Sequence, residues 1–93
     1  MYRLVFAPRF KKSFRKYRQS GVFPLEKFER ALACLRAGEP LPLSYSDHAL
    51  KGSLAHYREF HIAQDVLVQY EQDEVLELIT LRKIGTHTEL FGA

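Results

Sequence analysis

Cys34 is the lone cysteine among 93 residues, so no internal disulfide can form and a reducing compartment is the natural setting. Long apolar runs are also missing. The longest near the N-terminus, Leu4 to Pro8, falls far short of the roughly 18 residues that a membrane span needs, and no charged-then-apolar leader precedes it. A cytoplasmic location is therefore expected. There is no glycine-rich phosphate loop, no G-x-S-x-G and no Cys-His nucleophile arrangement. H-x-x-x-H and C-x-x-C pairs are absent as well, so a zinc or other transition-metal site lacks its usual spacing although ligand types are present. The expectation is no metal and no cofactor.

Acidic side chains are absent from residues 1–20, which carry seven basic ones; the other 73 residues hold seven basic and eleven acidic. The net +3 thus divides into +7 and −4. Such a basic block reads either as a surface for a polyanion or acidic partner, or as a solvated helix face.

At this length one domain over 1–93 is expected, with a single modest core. A hydrophobic content of 46% with 27% charged residues is ordinary for a globular chain.

Tyr2 to Phe6 alternates as a short strand. Pro8 then suits a first helical turn, and Phe6, Phe10, Phe14 and Tyr17 form one stripe opposite Arg9, Lys11, Lys12, Arg15, Lys16 and Arg18. Helical spacing makes this stripe a packing face rather than a base-stacking row. Ser20-Gly21 breaks the helix, and a second one begins at Pro24, with Leu25, Phe28, Leu32 and Leu35 on one side and Gly38 as its stop. Cys34 lies inside it as a packed thiol. From Leu50 the period changes to 2, predicting strands near 50–54, 56–62, 66–71 and 75–84, with a turn at Gln72-Asp73-Glu74. The last strand is apolar on both faces, which marks it as central. The order β-α-α-β-β-β-β is α+β: an antiparallel sheet with an N-terminal helical hairpin on one face and the other face open. His61 shares parity with Tyr57 and Glu59 and looks onto that open face, whereas Arg58, Phe60 and Ile62 point the other way.

Asp47 to Asp65 holds three of the four histidines and two of the three aspartates; Gly85-Thr86-His87 and Phe91 follow near the end of the chain. Histidine exchanges protons near neutrality, so His48, His61, His87, Asp47 and Asp65 are candidate acid–base groups. RNA cleavage through its own 2′-hydroxyl needs a base, an acid and positive charge on the phosphate, the last available from Arg58 and Arg82. Each residue also has a structural reading: Asp47 as a turn or cap, His48 and His56 at the surface, Arg58 extended from the sheet edge, and His87 in a terminal turn.

Four motifs in order, D-H-x-L-x-G at Asp47 to Gly52, Y-R-x-x-H-I at Tyr57 to Ile62, Asp65, and R-x-x-G-T-H-x-x-L-F at Arg82 to Phe91, resemble the YafQ branch of the RelE/ParE superfamily of bacterial toxins. The likeness is detailed in the C-terminal half and holds in element order and length in the N-terminal half. It implies a RelE-like fold and a type II toxin: a ribosome-dependent mRNA endonuclease (mRNA interferase) that uses no metal. It further implies neutralisation by a cognate antitoxin, partly disordered until bound and carrying a DNA-binding part, in a hetero-oligomeric complex. By resemblance the catalytic set falls on His48, His61, Asp65 and His87, with Phe91 lining the site. Val66 stands where members of this branch often carry tryptophan, and Ala49 replaces a frequent proline. The superfamily also includes gyrase-poisoning members of similar fold without such histidines. The alternative readings are thus a gyrase inhibitor or a degenerate toxin that only binds its antitoxin. The basic face of Lys11, Lys12, Arg15 and Lys16 is expected to meet ribosomal RNA.

Overall fold

Helix α1, Pro8–Gln19, begins at the proline, where a missing backbone donor costs nothing. It follows directly on strand β1, Arg3–Phe6, in the computed structural model, which describes residues 1–92. The aromatic stripe faces inward: Phe10 is buried, and the Phe14 ring lies 5.6 Å from that of Phe10 and 5.0 Å from that of Phe28. Helix α2, Leu25–Ala37, buries Phe28, Ala31 and Leu35 on the same interface. It ends at Gly38, whose left-handed φ of 72° lets its N–H return to the carbonyls of Cys34 and Leu35.

The hairpin packs on a five-stranded sheet built from β1, β2 (His48–Ala49), β3 (Tyr57–Ala63), β4 (Val66–Asp73) and β5 (Leu78–Gly85). Their order across the sheet is β1-β5-β4-β3-β2. Phe60, Ile62, Val68, Tyr70, Ile79, Leu81 and Ile84 supply the sheet side of the core, with Cys34 half-buried against it. Each large apolar side chain enclosed there contributes roughly 1.5–3 kcal/mol.

The α+β architecture, the hairpin and the central place of β5 follow the expectation. Strands β2 to β5 pair antiparallel, but β1 runs parallel to β5. The helical hairpin carries the chain from β1 to β2 at the opposite edge of the sheet, and three antiparallel steps then bring β5 beside β1, a closure on which period-2 alternation carries no information.

Three local readings need correction. The strand expected at 50–54 is instead the two-residue β2 followed by a 3₁₀ turn, Gly52–Leu54, in which Gly52 takes φ 66°. Strand β5 starts at Leu78 rather than 75. Residues 74–77 form the turn, held by the Leu76 N–H on Asp73 Oδ1 at 2.9 Å and by Glu77 at φ 51°, with Val75 and Leu76 exposed. A third helix, α3 (His87–Phe91), was not foreseen. Its start is a capping box in which the Thr86 side chain accepts from the Glu89 N–H and Glu89 Oε1 accepts from the Thr86 N–H.

Candidate acid-base face

Antiparallel register aligns side chains from neighbouring strands on one face. One row across the sheet reads His48, Glu59, Gln69, Lys83, and the adjacent row reads His61, Leu67, Gly85. These residues occupy the face away from the helical hairpin. That face is less open than alternation alone implied, because Glu59, Leu67 and Gln69 are all buried on it.

His48 lies over Glu59, its Nε2 at 2.9 Å from Glu59 Oε1, and its Nδ1 is 2.7 Å from the Ser46 carbonyl. The His48 and His61 rings are 6.3 Å apart, centre to centre. Two buried polar atoms in this cluster, Glu59 Oε2 and His61 Nδ1, have no protein hydrogen-bond partner. Such atoms are rare in a folded interior, and a site that must exchange protons with a substrate is one place where they occur.

His87 and Phe91 are exposed on α3, the short helix that follows β5. They lie one turn apart on α3 with ring centroids 5.3 Å apart. Because α3 springs from Gly85, which sits in the His61 row, His61 and the start of α3 share one end of the sheet. Two strand spacings, roughly 10 Å, separate them. Gly85 lets the helix approach so closely: a Cβ there would stand 2.9 Å from Glu89 Oε1 and 3.1 Å from Glu89 Cβ. Asp65 is exposed in the turn joining β3 and β4.

Helix α1 braces that end. The Tyr17 hydroxyl donates to Glu89 Oε1 at 2.7 Å. Burial, reinforced by the bond to the Glu89 carboxylate and by the charge of Asp65, pushes the Tyr17 phenol up to about 12. The same bond, together with the Thr86 N–H, holds the Glu89 carboxyl below its usual range. Lys11, Lys12, Arg15 and Lys16 are exposed along this helix.

The structure therefore brings His48 and His61 together and sets His87, Phe91 and Asp65 at the adjoining end. Among the described residues no hydrogen bond joins Asp65 or His87 to the two clustered histidines. Asp47 and Arg58 lie elsewhere, on the hairpin side. The Tyr70 hydroxyl donates to Asp47 Oδ1 at 2.8 Å, Arg58 Nε approaches Tyr70 Oη at 3.3 Å, and an Arg58 terminal nitrogen lies 3.3 Å from Asp47 Oδ2. Burial pulls Arg58 down, but its bonds to Tyr70 and Asp47 more than reverse this, and burial with the Asp47 contact drives the Tyr70 phenol upward. The cleft of about 510 Å³ beside this triad includes neither His61 nor His87 in its lining. Arg82, displaced by a bulge in β5, is paired with Glu71 at 3.3 Å. Glu59 is the member of the cluster that sequence reasoning passed over. Its parity with His61 was legible, and its partner His48 was not.

Residues 2–92 match the family described as the bacterial toxin of type II toxin-antitoxin system, YafQ. Over 53 residues the chain is 40% identical to the mRNA interferase toxin YafQ of Escherichia coli (strain K12), a match covering 57% of this chain and 55% of that protein. The chain thus spans about half the length of that curated relative. A putative toxin YafQ of Haemophilus influenzae is 41% identical over 75 residues, covering 77% of this chain and 72% of the relative. Among solved structures, a metal-bound toxin from Helicobacter pylori superposes with a TM-score of 0.87 at 31% identity, covering 98% of this chain and all of that one. The E. coli DinJ-YafQ complex superposes with 0.84 at 27% identity, covering 99% and 100%. Among the described residues, no three His, Cys, Asp or Glu side chains lie close enough together to hold a metal ion.

Proposed function

Since the chain belongs to the YafQ family of type II toxins, we propose that it is a ribosome-dependent mRNA endonuclease that halts translation and is held in check by a cognate antitoxin. The observation that carries this reading is the pair of histidines, His48 and His61, 6.3 Å apart on the sheet face that α3 borders with His87 and Phe91. In the reaction, the 2′-oxygen attacks the adjacent phosphorus and its proton passes to a base. The bond from phosphorus to the 5′-oxygen breaks, and that oxygen takes a proton from an acid. The products are a 2′,3′-cyclic phosphate and a 5′-hydroxyl. His87 is the base in this account, exposed at the edge of the face beside Phe91, which lines the message. The acid comes from the side that holds His48, His61 and Asp65. Of the two arginines the sequence offers for the phosphate, Arg58 is tied to Asp47 on the hairpin side, away from the histidines, and Arg82 is paired with Glu71. A shallow face of this kind suits a polymer strand better than an enclosed small molecule.

The exposed amines and guanidinium of Lys11, Lys12, Arg15 and Lys16 give α1 the charge to hold ribosomal RNA. The groove between α1 and α2, floored by Phe6, Phe10, Phe14, Phe28 and Leu32 with Lys11, Arg15 and Arg18 on its rim, supports an antitoxin segment that is apolar on one side and acidic at its margins. Such a segment would order on binding. No helix among the described residues is long and apolar enough to cross a membrane, and a ribosomal substrate puts the site of action in the cytoplasm.

The test is to map message 5′ ends after induction, and to repeat the mapping on purified message with ribosomes present or absent. Codon-phased cuts that require ribosomes are expected. Intact messages with failed DNA supercoiling would replace this reading with a gyrase-directed toxin; intact messages with normal supercoiling would indicate a protein that only binds its antitoxin.

A further inference from the structure

Glu59 is 4% exposed, and its carboxylate meets a histidine whose other nitrogen is already committed. The Ser46 carbonyl, 2.7 Å from His48 Nδ1, can only accept, so that nitrogen carries a hydrogen. Glu59 Oε1 stands 2.9 Å from His48 Nε2. An ionised carboxylate is also an acceptor, and two lone pairs facing each other at that distance repel. The contact is satisfied only if one proton lies between Nε2 and Oε1, giving either imidazolium with carboxylate or imidazole with carboxylic acid. Either way the pair holds a proton and His48 has no free lone pair. The second carboxylate oxygen is buried without a protein partner, as is Nδ1 of His61 two residues along the same face. Leaving a buried carboxylate half-satisfied costs stability.

We propose that Glu59 is a positioning residue that keeps this proton on the His48–Glu59 pair, so that His48 gives its Nδ1 proton, released from the Ser46 carbonyl, to the departing 5′-oxygen while the pair's proton stays at Nε2 and the 2′-hydroxyl proton goes to another histidine. The inference rests on the endonuclease reading and names the acid that reading left open. The titratable groups facing the pair are His61 beside it on β3, Lys83 at the far end of its row, and Tyr57 and Glu71 in the next row. Lys83 lies two strands beyond Glu59, roughly 10 Å away, and so is too distant to replace the carboxylate at His48.

The experiment compares ring ¹⁵N shifts of His48 in the purified chain and in Glu59→Gln at neutral pH, alongside ribosome-dependent cleavage across pH. In the wild type, either both ring nitrogens of His48 show protonated-type shifts, or Nε2 is unprotonated while the ¹³C shift of Glu59 reports a carboxylic acid. Glutamine donates its amide hydrogen to Nε2, so Glu59→Gln should leave that nitrogen unprotonated beside a neutral partner. The variant should lose on the order of 10²-fold in kcat with KM little changed, and the part of the pH–rate profile that reports the acid should disappear. A wild-type His48 with a free Nε2 beside an ionised Glu59 would overturn the proposal even if Glu59→Gln failed to fold, as would an unchanged kcat in a folded variant. The spectra do not depend on RNA cleavage, so a protein with the expected shifts and no cleavage would instead defeat the endonuclease reading.

Discussion

Arg58 can be a phosphate ligand or a structural tie, and the two roles separate under Arg58→Ala. In the folded chain its guanidinium makes three contacts of 3.3 to 3.4 Å with Asp47 and Tyr70. The side chain is 38% exposed and Asp47 19%, so the ion pair is partly screened and counts for less than an enclosed one. Removing the guanidinium leaves Asp47 with the Tyr70 hydroxyl, which satisfies one oxygen and leaves the other to solvent. Loss of the pair and of the apolar stem over the sheet should together cost about 1.5 kcal/mol. With a urea slope of roughly 1–1.5 kcal/mol per molar for a domain of this size, the unfolding midpoint should fall by about 1 M. Cleavage per folded molecule should drop by less than about 5-fold, whereas loss of a phosphate-binding arginine would cost about 10²-fold. An unchanged midpoint with a 10²-fold loss of cleavage would refute the structural reasoning and return Arg58 to the substrate.

Tyr17→Phe should unlatch α3 from α1 and cost about 1 kcal/mol, seen as faster hydrogen exchange at the Leu90 and Gly92 amides, which close the helix. Because the folded phenol is raised to about 12 from the ordinary 10, the wild type should keep this contribution below pH 10 and lose it as pH climbs through about 12, while Tyr17→Phe shows no such decline. Gly85→Ala drives a methyl group into Glu89 and should displace α3 with His87, lowering cleavage at least 10-fold with a stability loss of about 1–2 kcal/mol; calorimetry with a cleavage assay checks both. Reversing the charges of Lys11, Lys12, Arg15 and Lys16 should weaken ribosome binding and flatten its salt dependence in sedimentation assays, and unchanged binding would leave α1 as a solvated surface.

Both long helices were legible because proline starts α1, glycine stops α2 and the apolar residues keep a 3.6 period between them. Strands β3 and β4 were legible as period-2 stretches rich in β-branched and aromatic residues between turn signals, and parity along β3 fixed the side to which His61 points. What escaped depends on the tertiary fold. Helix α3 has only five residues, and its sequence signal, Thr86 with Glu89 three positions later, is a short one. Parallel pairing of β1 with β5 is decided by the helices' crossing to the far edge of the sheet and the three antiparallel steps that lead back. Asp47 and Arg58 sit among chemistry-bearing neighbours in the sequence, yet Arg58 shares parity with the core residues Phe60 and Ile62. The third member of their triad, Tyr70, is reached only through strand pairing. Glu59 was hidden for a related reason: its significance comes from His48, which the short strand β2 lays across it.

The central claim is metal-independent cleavage through the 2′-hydroxyl by the histidine face. It is tested most directly by presenting purified ribosomes with a message carrying a single 2′-deoxy substitution at the cut site, in the presence of chelator. The account predicts no cut at the substituted position, and a 2′,3′-cyclic phosphate with a 5′-hydroxyl from the unsubstituted message under the same conditions. Cleavage of the 2′-deoxy message, or activity that appears only when a divalent metal is restored, would contradict it.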